Sequence, residues 1–472
     1  MIVVEFLVVL GAIFLGARLG GIAIGFAGGL GVLVLALLGL TPGALPLDVI
    51  AIIVAVITAI AAMQIAGGMT YLVQLAEQIL RRNPKHLTFL APLITYMMTL
   101  MAGTGLTAFA TMPVITEVAK EHNIRPSRPL SIAVVASQIA ITASPISAAV
   151  VFLATALEGR GVDYLDLLAV AIPSTFLAVM ATASIMMLLD KMRGTTALDT
   201  HPEYLRRRAA GTLTGPSTGL VLDVPRGSSP APAAIPVGDV LVQAVQPPAL
   251  EVAQVVQPVA ASKRSVLIFL GGLVAVLGYA TAISEKVGLI AEPVMTRDAA
   301  IISIMLSVAT LIVVACKVQP SEILSASTFK SGMSASICVL GVAWLGTTFV
   351  TAHEGDITDA AGDLLNNQPW TLAVVLFFAS ALLYSQAATT KALLPTALAI
   401  GVSPLAAIAA FPAVSALFVL PTYPTLLAAV EMDDTGTTQI GKYVFNHPFL
   451  LPGIINITIA VALGFLFGSL IL

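Results

Sequence analysis

Long apolar runs separated by short polar loops make up most of the chain. Runs over 2–17, 21–40 and 48–66 have the length and character of membrane-spanning helices. An amphipathic piece, YLVQLAEQILRRNPKH, comes next, and then two uncharged segments, 87–102 and 106–116, joined by AGTG. Spans near 130–157 and 167–189 follow. After a stretch of different character the order starts again, with spans near 265–284, 298–315 and 331–350. A second uncharged pair, 370–384 and 388–401, is joined around SQAATT, and spans at 404–430 and 448–471 close the chain.

Each half therefore reads as three spans, a paired segment, a Pro-interrupted span and a final span. This is a repeat of hydropathy rather than of identity. If each paired segment is a re-entrant hairpin, each half crosses the bilayer five times. An odd number of crossings turns the second half upside down. The expected fold is an all-α polytopic membrane protein: two inverted repeats of five transmembrane spans, each with a re-entrant helical hairpin and a broken helix. Residues 1–190 form the first repeat and 265–472 the second. Between them, 191–264 holds nine prolines and few aromatics. It reads as a disordered Pro/Ala/Val-rich linker. The segments of about ten alternating residues that mark a β-barrel do not occur.

Composition agrees with a bilayer setting. The chain is 58% hydrophobic and 10% charged, against about 25% charged in soluble proteins. A net charge of -3 gives no reason to expect nucleic acid, and the two cysteines have neither metal nor redox spacing. The first basic residue, Arg18, follows the first apolar run, which argues against a cleaved signal peptide. With both termini placed outside, 18 Lys and Arg fall on the inner side and 3 on the outer, leaving Lys391 in the membrane. The outer loop HEGDITDAAGD is acidic only. Basic residues gather on the cytoplasmic side of membrane proteins, so the linker is expected in the cytoplasm and both termini in the periplasm.

Four stretches interrupt the apolar segments: AGTG (Ala102–Gly105), TASPIS (Thr142–Ser147), SQAATTK (Ser385–Lys391) and LPTYPT (Leu420–Thr425). Each half carries a tip and a broken span at matching places. Gly103, Pro145, Pro421 and Pro424 are the expected helix breakers. Non-helical backbone at membrane depth is tolerated only inside protein or against a wet cavity. Helix N-termini meeting there would favour a small anion, and freed carbonyls and hydroxyls a cation. Lys391 is the one Asp, Glu, Lys or Arg between Leu364 and Val430. A lysine at that depth costs about 2.5–3.5 kcal/mol on insertion scales. Three readings stay open for it: a structural or snorkelling lysine, a neutral lysine, and a lysine paired with a substrate carboxylate. Glu5 and Asp48 are the nearby carboxylates, both near span ends.

Other features have plainer readings. Gln64 and Gln138 are amides within spans, which commonly glue helices together. Gly16, Gly20, Gly21, Gly25 and Gly29 suit close helix packing, with a dimer seam as a further use. GTG has no βαβ unit around it and is no dinucleotide fingerprint. His86, His122, His201, His353 and His447 are scattered without metal-ligand spacing. EMDDTGTTQIGK reads as a solvated inner loop with a conceivable gating role. No nucleophile–base pair or metal cluster suggests an enzyme. A non-transporting sensor lacks a folded output domain, and a channel would need no alternating access.

The strings FLGARLGGIAIGFAGGLGVLVL, SQIAITASPISAAVV, SALLYSQAATTKALLP and LPTYPTLLAAVEMDDTGTTQIGKYVFNHPF resemble the anaerobic C4-dicarboxylate transporter family, Dcu, of the DcuA/DcuB type. The similarity covers nearly the whole chain, the stretch around 209–260 departing from it. The resemblance implies a bacterial inner-membrane carrier that takes up or exchanges fumarate, malate, aspartate and succinate in fumarate respiration. It also implies kinship with the ion transporter superfamily, with re-entrant hairpins and elevator-type dimers. On this reading 87–157 and 370–430 form a transport domain, and the remaining spans form a dimeric scaffold. Thr104, Gly105, Ser144 and Ser147 contact one end of the substrate. Ser385, Gln386, Thr389, Lys391, Thr422 and Thr425 contact the other end or a cation. No cofactor is expected; sodium near Thr104, Thr142 and Thr390 is the candidate coupling ion. A carrier for citrate or another small organic anion is the alternative.

Overall fold

A computed structural model shows how these segments fold. It describes the chain apart from residues 1, 20–21, 46, 106, 158–159, 194–196, 211–212, 214–258, 284–288, 291, 354–367, 384, 400, 421–422 and 442–445. The described residues are helical, with a single isolated bridge between Ile124 and Ala197. The first half holds α1 (Ile2–Leu19), α2 (Ala23–Leu37), α3 (Leu47–Ile65), α4 (Gly68–Arg82), α5 (Leu87–Ala102), α6 (Thr107–Glu121), α7 (Ser127–Ala140), α8 (Ala148–Leu157) and α9 (Tyr164–Arg193). After α10 (Pro202–Ala209) the second half holds α11 (Val259–Ala282), α12 (Arg297–Cys316), α13 (Pro320–Ile323), α14 (Ser327–Ala352), α15 (Thr371–Leu383), α16 (Gln386–Ala399), α17 (Pro404–Ala410), α18 (Pro424–Met432) and α19 (Leu450–Ile471). Among the described residues, Ser127–Ala154, Tyr164–Arg193, Ala260–Ala282, Arg297–Cys316 and Leu450–Ile471 are long and apolar enough to cross a membrane. The axis bends by 70° between α3 and α4. The charged Arg81 and Arg82 of amphipathic α4 thereby leave the line of α3.

The element order follows the hydropathy pattern, and the contacts pair off between the halves. Helix α2 packs on α14 as α12 packs on α3; α1 meets α2 as α11 meets α12. Helix α5 lies against α7 as α15 lies against the 3-10 segment Phe411–Phe418. The final spans α9 and α19 pack on each other. The broken spans are innermost. In Ser127–Ala154, 89% of the apolar window is buried, against 28% in Leu450–Ile471, so the first is a core element and the second largely faces outward.

Two hydrophobic cores result. The larger joins α5 to α9 with α15 to α19, through residues such as Tyr96, Ile115, Val134, Leu153, Phe411 and Phe418. The other joins α3, α11 and α12 through Ile60, Met63, Phe269, Met305 and Ile312. Helices α1, α2 and α14 add a small cluster around Leu35 and Leu345. Gly25 and Gly31 of α2 serve contacts within the chain. A Cβ on Gly341 of α14 would lie 1.9 Å from the Gly25 carbonyl oxygen, so only glycine fits there. Gly29 has nothing within 4 Å of an added Cβ, and Gly20 and Gly21 lie outside the described residues.

The stretch 191–264, expected to be linker throughout, is folded at both ends. Helix α9 runs on to Arg193, and α11 starts at Val259. Pro202 opens α10, whose Glu203 pairs with Arg206 and Arg207. Eight of the nine prolines lie at 216–258, so averaging across the stretch hid its two ends. The segment before and within α10 docks on two loops. The Leu198 N–H donates to the Asn123 carbonyl at 3.1 Å, and the Asp199 N–H to Asn123 Oδ1 at 2.9 Å. Arg207 Nη1 donates to the Asp434 carbonyl at 3.0 Å. Burial, and next the charge of Arg125, hold His201 below the usual histidine pKa.

The loop EMDDTGTTQIGK is not simply solvated. Asp433 is 1% exposed and accepts from the N–H groups of Thr435 and Thr438 and from the hydroxyls of Thr435 and Thr437. Asp434 pairs with Lys120 at 2.7 Å. Arg81 of α4 reaches Glu77, Glu117 and Glu121, which raises its pKa, chiefly through the hydrogen bond to Glu121. Arg128, at the start of α7, grips buried Asp190 near the end of α9 with two 2.6 Å hydrogen bonds.

Two changes test this packing by thermal unfolding in detergent. Arg128→Met removes both hydrogen bonds of this pair from the buried Asp190 carboxylate and should cost about 1–3 kcal/mol, with partial recovery in the Arg128→Met/Asp190→Leu double variant. Gly341→Ala should lower Tm sharply because its methyl meets backbone. Gly29→Ala, in open space and better suited to a helix, should leave Tm unchanged or raise it.

Candidate functional site

Of the expected interruptions, AGTG and TASPIS interrupt helices; SQAATTK is helical from Gln386 onward, and Pro421 and Thr422 of LPTYPT lie outside the described residues. Helix α5 stops because Gly103 takes the left-handed conformation, φ +65°, and its N–H closes the helix on the Thr99 carbonyl. The two arms of this hairpin are held together by threonines at helical spacing. Thr99 and Thr107 share a hydrogen bond of 2.6 Å between hydroxyls, and Thr95 and Thr111 one of 3.2 Å. Their spacing of four on each arm is the only mark these threonines carry in the sequence. Thr104 and Gly105 form the tip and are partly exposed.

The first broken span passes from α7 through a 3-10 turn, Ile141–Ala143, to Ser144 in extended conformation. Proline at 145 cannot donate the next helical hydrogen bond. Buried hydroxyls repair the backbone. Thr142 donates to the Ile139 carbonyl, and Ser147 to the Ile141 carbonyl, each at 2.7 Å. Ser147 Oγ also accepts from the Val150 N–H at the start of α8. Ser144 donates to the Leu100 carbonyl at 2.6 Å, which ties this break to the first hairpin. A Cβ on Gly103 would sit 3.1 Å from Ile146, so tip and break are in contact. The Tyr164 hydroxyl donates to the Pro145 carbonyl.

In the second half Ser385 caps α16, accepting from the Ala388 N–H. Thr389 donates to the Ser385 carbonyl and Thr390 to the Gln386 carbonyl. The second broken span is longer in its disruption than the sequence suggested. Pro412 opens eight residues of 3-10 helix, Phe411–Phe418, before the chain reaches Pro424. Pro424 starts α18 and Thr425 is buried. Pro421 and Thr422 lie outside the described residues.

Gln138 of α7 joins three of the breaks. Its Nε2 donates to Thr425 Oγ1, and its carbonyl accepts from Gln386 Nε2 and Ser415 Oγ, each at 3.3 Å. The structure thus joins Gln386, Ser415 and Thr425 through Gln138, while Ser144 and the tip residue Gly103 meet separately, through Leu100 and Ile146. The hydroxyls of Thr142, Ser144, Ser147, Thr389 and Thr390 already donate to carbonyls, so their first role is to hold broken backbone in shape.

Lys391 is 2% exposed, which excludes a snorkelling side chain. Its Nζ lies 5.4 Å from the centre of the Phe152 ring and has no hydrogen-bond partner among the described residues. Glu5 does not serve it. Glu5 is buried between α1 and α14 with Oε2 2.8 Å from His353 Nε2. Lys391 faces α8, while α14 packs beside it through Gly346 against Ala392. It therefore sits near the seam between the two cores. A small cleft beside the first tip, lined by Met63, Met69, Met98, Met101 and Thr107, is almost wholly apolar and unsuited to an anion. Among the described residues no group of His, Cys, Asp and Glu could hold a metal ion.

Comparisons with known proteins place this arrangement. The family described as anaerobic C4-dicarboxylate membrane transporter matches residues 1–472. The C4-dicarboxylate transporter DcuA of Wolinella succinogenes is 58% identical, with all of both chains covered. DcuA of Escherichia coli K12 is 54% identical, again over the full length of both. The anaerobic C4-dicarboxylate transporter DcuB of Escherichia coli O6:H1 is 35% identical over 99% of this chain and 98% of the other. In fold the chain is similar to the YdaH transporter of Alcanivorax borkumensis, whose crystal structure was described as having an unusual topology. The TM-score is 0.51 at 13% identity, covering 89% of this chain and 84% of that one. With its apolar helices and its match from end to end, this multi-pass membrane protein belongs to the anaerobic C4-dicarboxylate membrane transporter family.

Proposed function

We propose that the chain is a secondary carrier of C4-dicarboxylates, binding its substrate where the helix breaks of the two halves meet. The observation that carries this reading is Lys391. A buried ammonium with an aromatic face but no hydrogen-bond partner among the described residues is costly. A substrate carboxylate supplies the missing acceptor and charge. The second carboxylate goes to the N-terminal ends of α8, α16 and α18, where helix dipoles favour an anion. In this reading Thr104, Gly105, Ser144 and Ser147 serve one end, and Ser385, Gln386, Thr389 and Thr425 the other. The names of the full-length relatives agree with this substrate class.

The pairing of contacts between the halves supports the inverted repeat. The two cores support a division into a transport body and a scaffold. In that division α9 and α19 go with the hairpins rather than with the scaffold, because they share the larger core. An elevator-like movement of the first body along the second, in a homodimer, is the mechanism that suits it. Fumarate, malate, aspartate and succinate are the proposed substrates, exchanged across a bacterial inner membrane in anaerobic respiration. The excess of basic residues on one side supports periplasmic termini. Sodium near Thr104, Thr142 and Thr390 is the proposed coupling ion.

The test is succinate–fumarate counterflow in proteoliposomes, with and without a sodium gradient. Lys391→Ala should raise KM for every dicarboxylate by about 10- to 100-fold, the loss of one charge-assisted hydrogen bond. Wild-type rate and KM in that variant would remove the lysine from the substrate site. A rate indifferent to sodium would remove the coupling ion. A wild-type protein that transports citrate but no four-carbon acid would overturn the substrate class.

A further inference from the structure

Gln138 lies in the innermost span and is 1% exposed, yet its hydrogen bonds leave one atom over. Its Nε2 is used by Thr425, and its backbone carbonyl by Gln386 and Ser415. Its Oε1 is buried and has no partner among the described residues. A side-chain amide that only glued helices together would use this oxygen too, since a buried acceptor left without a donor is destabilising. The orphan atom belongs to the residue that links the breaks of both halves. It therefore waits for a donor that arrives with something else.

We infer that Gln138 reads the substituent on carbon 2 of the substrate. This rests on the proposal that a C4-dicarboxylate binds among the breaks. At neutral pH a dicarboxylate with only hydrogens between its carboxylates offers acceptors alone. It can satisfy Lys391, but it cannot satisfy an orphan oxygen. A hydroxyl or an ammonium on carbon 2 brings the missing donor. Lys391 and Gln138 thus divide the work. The lysine recognises the carboxylate shared by all C4-dicarboxylates, and the glutamine favours the hydroxy and amino acids over the unsubstituted ones. Selection by a buried polar group is strong because the wrong substrate leaves that group unpaired.

The experiment measures KM at pH 7 in counterflow for aspartate, malate, succinate and fumarate, in wild type, Gln138→Met and Gln138→Glu. Methionine keeps the length and removes the acceptor. The KM ratios of aspartate and malate to succinate should rise about tenfold in Gln138→Met, the worth of one hydrogen bond to a buried or charged group. A parallel rise for all four acids would show a structural or cation-binding role and overturn the inference, as would unchanged ratios. Gln138→Glu keeps an acceptor and adds negative charge, so it should shift preference toward aspartate over fumarate. If Gln138→Met does not fold, that shift decides alone, and its absence overturns the inference. Failure of wild type to exchange any C4 acid would instead sink the proposed function.

Discussion

A backbone that leaves the helix at membrane depth must find partners inside the protein, and the rest of this structure follows from that constraint. The chain breaks helices at both hairpin tips and both long broken spans. Small hydroxyls at Thr142, Ser144, Ser147, Ser385 and Thr389 take up freed carbonyls and N–H groups. Because hydrocarbon offers none of these partners, such breaks have to lie inside the protein, and the one at Thr142–Ser147 lies in the most buried of the long apolar spans among the described residues. What the repair leaves unpaired is correspondingly informative. Among the described residues, the buried atoms without a hydrogen-bond partner include the Lys391 ammonium and the Gln138 amide oxygen.

The second constraint is the separation into two cores. Hairpins, broken spans and the two final spans share one set of apolar contacts; α3, α11 and α12 share another, which Ile146 and Val151 of the first broken span also join, while Ala280 of α11 belongs to the first. Phe152 and Ile53 meet across the boundary, and Lys391 sits beside Phe152. A charge placed at such a seam responds both to what binds there and to how the two bodies lie.

Much of this was legible in the chain. The all-helical membrane character, the amphipathic piece before the first hairpin and the breaks at Gly103 and Pro145 follow from runs of apolar residues interrupted by glycine and proline. Lys391 stood out because nothing charged surrounds it in sequence. What stayed hidden needed three dimensions. The role of Gln138 depends on Thr425, Gln386 and Ser415, all far away along the chain. The use of Gly25 inside one chain depends on Gly341. The 3-10 run at Phe411–Phe418 carries one proline inside an otherwise good helical pattern, and the packing of α15 against it is invisible in hydropathy. The folded ends of the stretch 191–264 were masked by its proline-rich middle, because composition averages over a window while docking is decided by single residues such as Asn123 and Arg207.

The docking of α10 sets a requirement on the connection that follows it. Helix α10 is held by loops that belong to the hairpin body, whereas α11 belongs to the other core. The 49 residues from 210 to 258 therefore join an anchor on one body to the start of the other. If the bodies slide past each other, this is the segment whose contour must span both extremes of the stroke. Its length is then a mechanical allowance: shortening it would leave each body intact and yet limit how far one can travel along the other.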